Sequence, residues 1–131
     1  MRRFLKKTGN WLFPAVVMLF TFLFLKYVFL LGYVPTESME PTLKRGSYII
    51  GGRIYSDLEA GDIIIFRHDG KLPVKRIVAA EGDTVEKNGI SMTVLEGCYY
   101  VLGDNADNSY DSWYWINPFV NGVDVMVKLI S

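Results

Sequence analysis

Two residues of this 131-residue chain could form a catalytic pair, a serine between prolines and a lysine inside an apolar run. The serine is Ser38, in Pro35-Thr36-Glu37-Ser38-Met39-Glu40-Pro41-Thr42. Each proline fixes its own φ and pushes the preceding residue toward extended backbone. The octapeptide is therefore stiff, and a stiff mount suits a nucleophile, because small misplacements are costly in rate. Serine and threonine between prolines also describe an ordinary loop.

A serine needs a base to become a nucleophile. His68 is the single histidine, in Phe66-Arg67-His68-Asp69-Gly70. A Ser-His-Asp set with Asp69 is conceivable, and a solvated turn histidine fits the same pentapeptide. The other candidate is Lys75, in Pro73-Val74-Lys75-Arg76-Ile77-Val78-Ala79-Ala80. An ammonium is no base, but burial among apolar groups favours the neutral amine. On a strand, Lys75 shares a face with Pro73, Ile77 and Ala79, and Arg76 shares the other with Val74, Val78 and Ala80. Arginine keeps its proton, so only Lys75 could serve as a neutral base. Two cations on an edge strand that discourage aggregation would look the same.

The third polar feature runs from Gly103 through Asp104, Asn105, Ala106, Asp107, Asn108, Ser109, Tyr110 and Asp111 to Ser112. Such side chains bond their own backbone, which predicts an Asx-rich loop. The acids at 104, 107 and 111 do not match an EF-hand. The loop could also supply hydrogen bonds that orient a catalytic lysine. With one histidine and one cysteine, no metal site and no cofactor is expected, and Cys98 cannot form an intrachain disulfide. Within Cys98-Tyr99-Tyr100-Val101-Leu102 it reads as a buried strand thiol.

These groups need elements to hold them. Residues 1–10 hold Arg2, Arg3, Lys6 and Lys7 and no acid, and read as a basic cytoplasmic tail. Residues 11–34 are apolar apart from Lys26 and read as one transmembrane helix, with Lys26 snorkelling toward the outer headgroups. The apolar stretch exceeds a typical signal-peptide core, so an uncleaved anchor is expected rather than a cleavable leader. Residues 35–131 then form an extracytoplasmic β domain. They carry nine Lys or Arg against fourteen acids, which disfavours nucleic acid as a partner. Apolar runs at 48–50, 62–66, 74–80, 90–95, 99–102 and 123–130 alternate with turn signals. Asp69-Gly70 and Asn88-Gly89 are hairpin signals, and Gly51-Gly52 and Gly82 suggest bends or bulges. The spacing predicts a small antiparallel barrel or sandwich.

In this order, the segments resemble bacterial signal peptidase I, in the minimal form common in Gram-positive bacteria. The family shows an anchor and four boxes. Here the boxes read Ser38-Met39-Glu40-Pro41-Thr42-Leu43, Gly61-Asp62-Ile63-Ile64, Val74-Lys75-Arg76-Ile77-Val78 with Gly82-Asp83, and Gly103-Asp104-Asn105 through Ser109, Asp111 and Ser112. The resemblance implies a β-barrel-like catalytic domain, with Ser38 as nucleophile and Lys75 as general base. It implies an oxyanion hole from the Thr36 hydroxyl and the Ser38 amide. Asp104, Asn105, Ser109, Asp111 and Arg76 become supporting residues. The implied partners are exported preproteins with small-x-small cleavage sites and the lipid bilayer.

Two positions depart from the family. Trp113 stands where an arginine normally pairs with Asp111, and Ile116 replaces a glycine. Arg76 is the expected substitute partner for Asp111. Trp113, Tyr114, Trp115 and Phe119 form an aromatic cluster, expected in core or barrel rim. The departures leave a second expectation open: a catalytically impaired, anchored β domain that binds exported or partner proteins.

Overall fold

The structure is a computed structural model that describes the backbone of residues 2–130 and side chains from residue 10 to residue 130. The expected basic tail side chains Arg2, Arg3, Lys6 and Lys7 lie outside the described residues. Helix α1 spans Arg2–Val28, and within it Asn10–Val28 is long and apolar enough to cross a bilayer. Its side chains from Trp11 to Tyr27 are exposed all round rather than packed on the domain. The helix expected to reach residue 34 ends at Val28. Phe29–Tyr33 is instead strand β1, paired with β2 (Tyr48–Gly52) in the register Phe29 to Gly52 and Tyr33 to Tyr48. Apolarity alone does not separate the two, because an apolar run can continue from helix into strand.

The body is mostly β, as the spacing predicts. The remaining strands are β3 (Ile63–Phe66), β4 (Val74–Ala80), β5 (Thr84–Lys87), β6 (Ile90–Thr93), β7 (Cys98–Leu102), β8 (Phe119–Asn121) and β9 (Val125–Leu129). Seven of the nine described strands form one antiparallel sheet in the order β1-β2-β9-β3-β4-β7-β8. The described strands leave this sheet open, with β1 and β8 at its edges. Strands β5 and β6 form a separate hairpin closed by Asn88-Gly89, both at positive φ (53° and 77°), as a two-residue turn of that sequence demands. Asp69-Gly70 turns the same way between β3 and β4.

The uninterrupted run Ile63-Ile64-Ile65-Phe66 has a simple cause. Ile64 and Phe66 pack with Ile77, Val101, Trp115, Val120 and Val125, while Ile65 faces the other way, into Val34, Ile49 and Val127. Strand β3 is thus buried on both faces, and a two-faced strand has no polar alternation. Each such side chain contributes about 1.5–3 kcal/mol on burial, which anchors β3 and its neighbour β4 firmly. Gly51 does not mark a bulge. It lies inside β2, where a Cβ would collide with the Val127 side chain, so its role is close strand packing. The register shifts fall at Ile65/Phe66 and Ile77/Ala79 instead.

Candidate active site

Strand β4 decides the question its sequence left open. It lies inside the sheet between β3 and β7, so its cations do not guard an edge. Lys75, Ile77 and Ala79 are buried, while Arg76 and Val78 are not. The face shared with Ile77 is the inner one, and Lys75 is only 5% exposed. Burial lowers its pKa from the ordinary lysine value, and the nearby Asp111 charge opposes that fall.

Ser38 is also buried, and it lines the same cleft as Lys75. The cleft measures about 340 Å³ and runs between the Tyr33–Met39 segment and the 71–75 segment. Two stretches of chain therefore flank it, with Val34, Met39 and Val74 among its apolar walls. The Thr36 and Ser38 hydroxyls are 3.3 Å apart. Among the described residues this is the one side-chain partner within hydrogen-bond range of Ser38 Oγ, and Lys75 Nζ has none.

The polar loop after β7 ties the serine down. The Asn105 N–H donates to the Ser38 carbonyl at 2.8 Å, and Asn105 Nδ2 donates to the Glu37 carbonyl at 3.1 Å. Asp111 is buried and accepts at three points. Its Oδ2 receives the Gly103 N–H (2.9 Å) and the Ser109 hydroxyl (2.6 Å), and its Oδ1 receives the Trp113 N–H (3.1 Å). Charge-assisted bonds of this type are stronger than neutral ones and fix the carboxylate in place. Ser112, fully buried, pairs with Val101 in both directions, through its N–H (3.2 Å) and its Oγ (3.0 Å).

Arg76 does not take the role expected of it. It binds Asp104, not Asp111, with Nε at 2.9 Å from Oδ1 and Nη2 at 2.8 Å from Oδ2. Its Nη1 reaches the Gly61 carbonyl at 2.8 Å. Arg76 projects from the opposite face of β4 to Lys75, which turns it toward the 61 and 104 turns. Its hydrogen bonds hold the Asp104 carboxyl below the usual carboxylate range. Asp111 stands without an arginine because backbone N–H groups and Ser109 supply its donors.

The other expectations divide. His68 stacks on Trp115 (centroids 3.8 Å apart) and meets Asp69 at 3.3 Å, and makes no hydrogen bond to Ser38. The aromatic cluster splits: Trp115 is core, Phe119 is half-buried, and Trp113 and Tyr114 are exposed, as is the neighbouring Ile116. Cys98 is half-buried rather than fully buried. One contact carries no sequence signal. Lys87 donates to the carbonyls of Ser112 (3.1 Å) and Trp115 (2.6 Å). In Glu86-Lys87-Asn88-Gly89 a lysine beside a hairpin turn reads as a solvated cation.

The family model described as signal peptidase, peptidase S26, matches residues 5–95, a span that contains Ser38 and Lys75 and stops before Gly103. A probable signal peptidase I-1 of Synechocystis sp. is 30% identical, with 63% of this chain and 61% of that protein aligned. The mitochondrial ATP-independent inner membrane protease subunit 1b of Arabidopsis thaliana is 33% identical over 77% of this chain and 69% of its own. A Staphylococcus aureus protein named inactive signal peptidase IA is 30% identical over 81% of this chain and 59% of its own. The chain thus spans less than two thirds of the Synechocystis and Staphylococcus relatives. With more than half of its length matched, the chain belongs to the signal peptidase family, peptidase S26.

Proposed function

We propose that the protein is a membrane-anchored serine endopeptidase that removes signal peptides from exported preproteins, with Ser38 as nucleophile and Lys75 as general base. The observation that carries this reading is the shared cleft. Ser38 and Lys75 both line it, and the lysine's pKa is lowered by burial. In the proposed reaction, neutral Lys75 takes the Ser38 hydroxyl proton as Ser38 Oγ attacks the carbonyl after a small residue. The Thr36 hydroxyl and the Ser38 N–H hold the developing oxyanion. The Lys75 ammonium returns its proton to the leaving amine, which frees the mature chain. Neutral Lys75 then takes a proton from a water that attacks the acyl-enzyme carbonyl; the ester bond to Ser38 Oγ breaks, Lys75 returns the proton to Ser38 Oγ, and the signal peptide leaves. The substrate docks as an extended strand between the two segments flanking the cleft.

The same reading proposes that Asn10–Val28 spans the bilayer. An apolar helix exposed all round fits lipid rather than water. The basic residues at 2–7 then stay in the cytoplasm, and residues 35–131 lie on the opposite side.

The test is cleavage of a preprotein with a small-x-small site by the full chain in detergent. Ser38→Ala, Lys75→Ala and Lys75→Arg should each abolish turnover. Full cleavage by any of the three sinks the dyad. A second reading is an anchored β domain without catalysis that binds exported or partner chains. The missing Ser38–Lys75 hydrogen bond and the relatives named inactive favour it. A covalent serine probe that labels the wild type but not Ser38→Ala excludes it.

A further inference from the structure

Lys87 makes the only side-chain hydrogen bonds that leave the β5–β6 hairpin among the described residues. The hairpin forms its own two-stranded sheet, and Val85 packs it against Ala79, Val94 and Tyr100. The Lys87 ammonium is half-buried, has no carboxylate within 4.0 Å among the described residues, and is directed at two backbone carbonyls. A cation in that setting loses water without gaining an anion, so the carbonyls must compensate it.

Those carbonyls belong to one turn. The N–H groups of Tyr114 (2.9 Å) and Trp115 (3.2 Å) both donate to the Asp111 carbonyl, which makes Asp111–Trp115 a single helical turn. Lys87 takes the carbonyls of Ser112 and Trp115, which the turn's own N–H groups leave free, and a cation is favoured where such carbonyls end a turn. The N-terminal residue of the turn is Asp111, whose carboxylate holds Gly103, Ser109 and Trp113. Gly103 in turn packs against the Ser38 carbonyl.

We propose that Lys87 is a positioning residue that braces the Asp111–Trp115 turn and thereby fixes the Asp111 carboxylate beside Lys75. The role rests on the Ser38–Lys75 reading above. It acts through the turn and touches neither substrate nor reacting atoms.

The experiment uses the full chain in detergent, with Lys87→Met, Lys87→Gln and Lys87→Arg. Lys87→Met and Lys87→Gln should lower kcat about tenfold with KM within about twofold, since small displacements of a catalytic group act on the chemical step. Amide exchange at Trp113, Tyr114 and Trp115 should accelerate about tenfold, while β3 and β4 stay protected. Lys87→Arg, which keeps charge and donors, should restore both readouts. If exchange accelerates and kcat holds, the brace is structural only and the positioning role is overturned. If neither readout moves, the brace itself is overturned. Lys87→Gln decides the matter should Lys87→Met not fold. A Ser38→Ala chain that still turns over would overturn the catalytic reading, and the exchange result would still report on the brace.

Discussion

The Asn105 N–H lies 2.8 Å from the Ser38 carbonyl oxygen, so the loop after β7 is clipped to the peptide unit of the candidate nucleophile. The clip works only because Gly103 has no side chain. A Cβ there would meet the Ser38 carbonyl at 2.6 Å and collide with the Ser109 side chain.

Gly103→Ala should therefore damage the site rather than merely soften the fold. Overpacking of this kind typically costs about 1–3 kcal/mol. The displaced atoms are Ser38 and Ser109, so cleavage should fall by two orders of magnitude or more, about 2.7 kcal/mol in barrier. Thermal unfolding and turnover measured side by side check this. Turnover near wild type would show that the loop has room to move.

Much of this arrangement was legible in the sequence, and the exceptions have physical causes. Ser38 and Lys75 are singled out by the order of the four boxes behind one anchor, because their local sequences alone fit an ordinary loop and an edge strand equally well. Which face of β4 is buried was not readable, since both faces carry apolar residues. Strand β1 was hidden because Phe29–Tyr33 is as apolar as the helix it follows. Strand β5 (Thr84–Lys87) was hidden because only Val85 on it is apolar. Arg76 is expected at Asp111 only because the family's arginine is missing there, and the sequence does not encode that its face of β4 points at Asp104 and Gly61.

The Arg76–Asp104 pair gives a second prediction. Both side chains are less than one third exposed, and the two parallel bonds are 2.9 and 2.8 Å. Arg76→Met leaves a half-buried carboxylate without its cation and should cost about 2–4 kcal/mol at pH 7. Asp104 has its folded pKa lowered, chiefly by the Arg76 hydrogen bonds. Its contribution is present above the unfolded carboxylate range and lost as pH falls through the folded value. Urea midpoints of wild type and variant should therefore differ at pH 7 and converge below about pH 4. A constant gap across that range would exclude the ion pair as its source.

Thr36 gives a third. Its hydroxyl lies 3.3 Å from Ser38 Oγ, at the mouth of the proposed oxyanion site. Thr36→Val keeps shape and removes the donor, so kcat should drop about 10²–10³-fold with KM little changed. Thr36→Ser should stay within about tenfold of wild type. If Thr36→Val loses only KM, the hydroxyl binds substrate in its ground state instead.

The last prediction concerns the lysine's charge, which acts on both activity and stability. Burial lowers the Lys75 pKa, and the Asp111 charge partly restores it. Activity needs the neutral amine, so kcat/KM should rise with pH along a limb that lies below the free lysine value of about 10.4. Asp111→Asn removes the charge that favours the ammonium, and the limb should move to lower pH. The stability sign follows from proton counting. Between the lowered folded pKa and about 10.4 the unfolded chain binds more protons than the folded one, so stability increases with pH across that window. Below the folded value the protein must bury an ammonium, and the destabilisation is at its full size. Lys75→Met has no such group. It should unfold at a higher temperature than wild type at neutral pH, and the two melting temperatures should converge as pH approaches 10. A wild type that melts at the same temperature as Lys75→Met across the whole range would mean that Lys75 is solvated, and its candidacy as a base would fall with it.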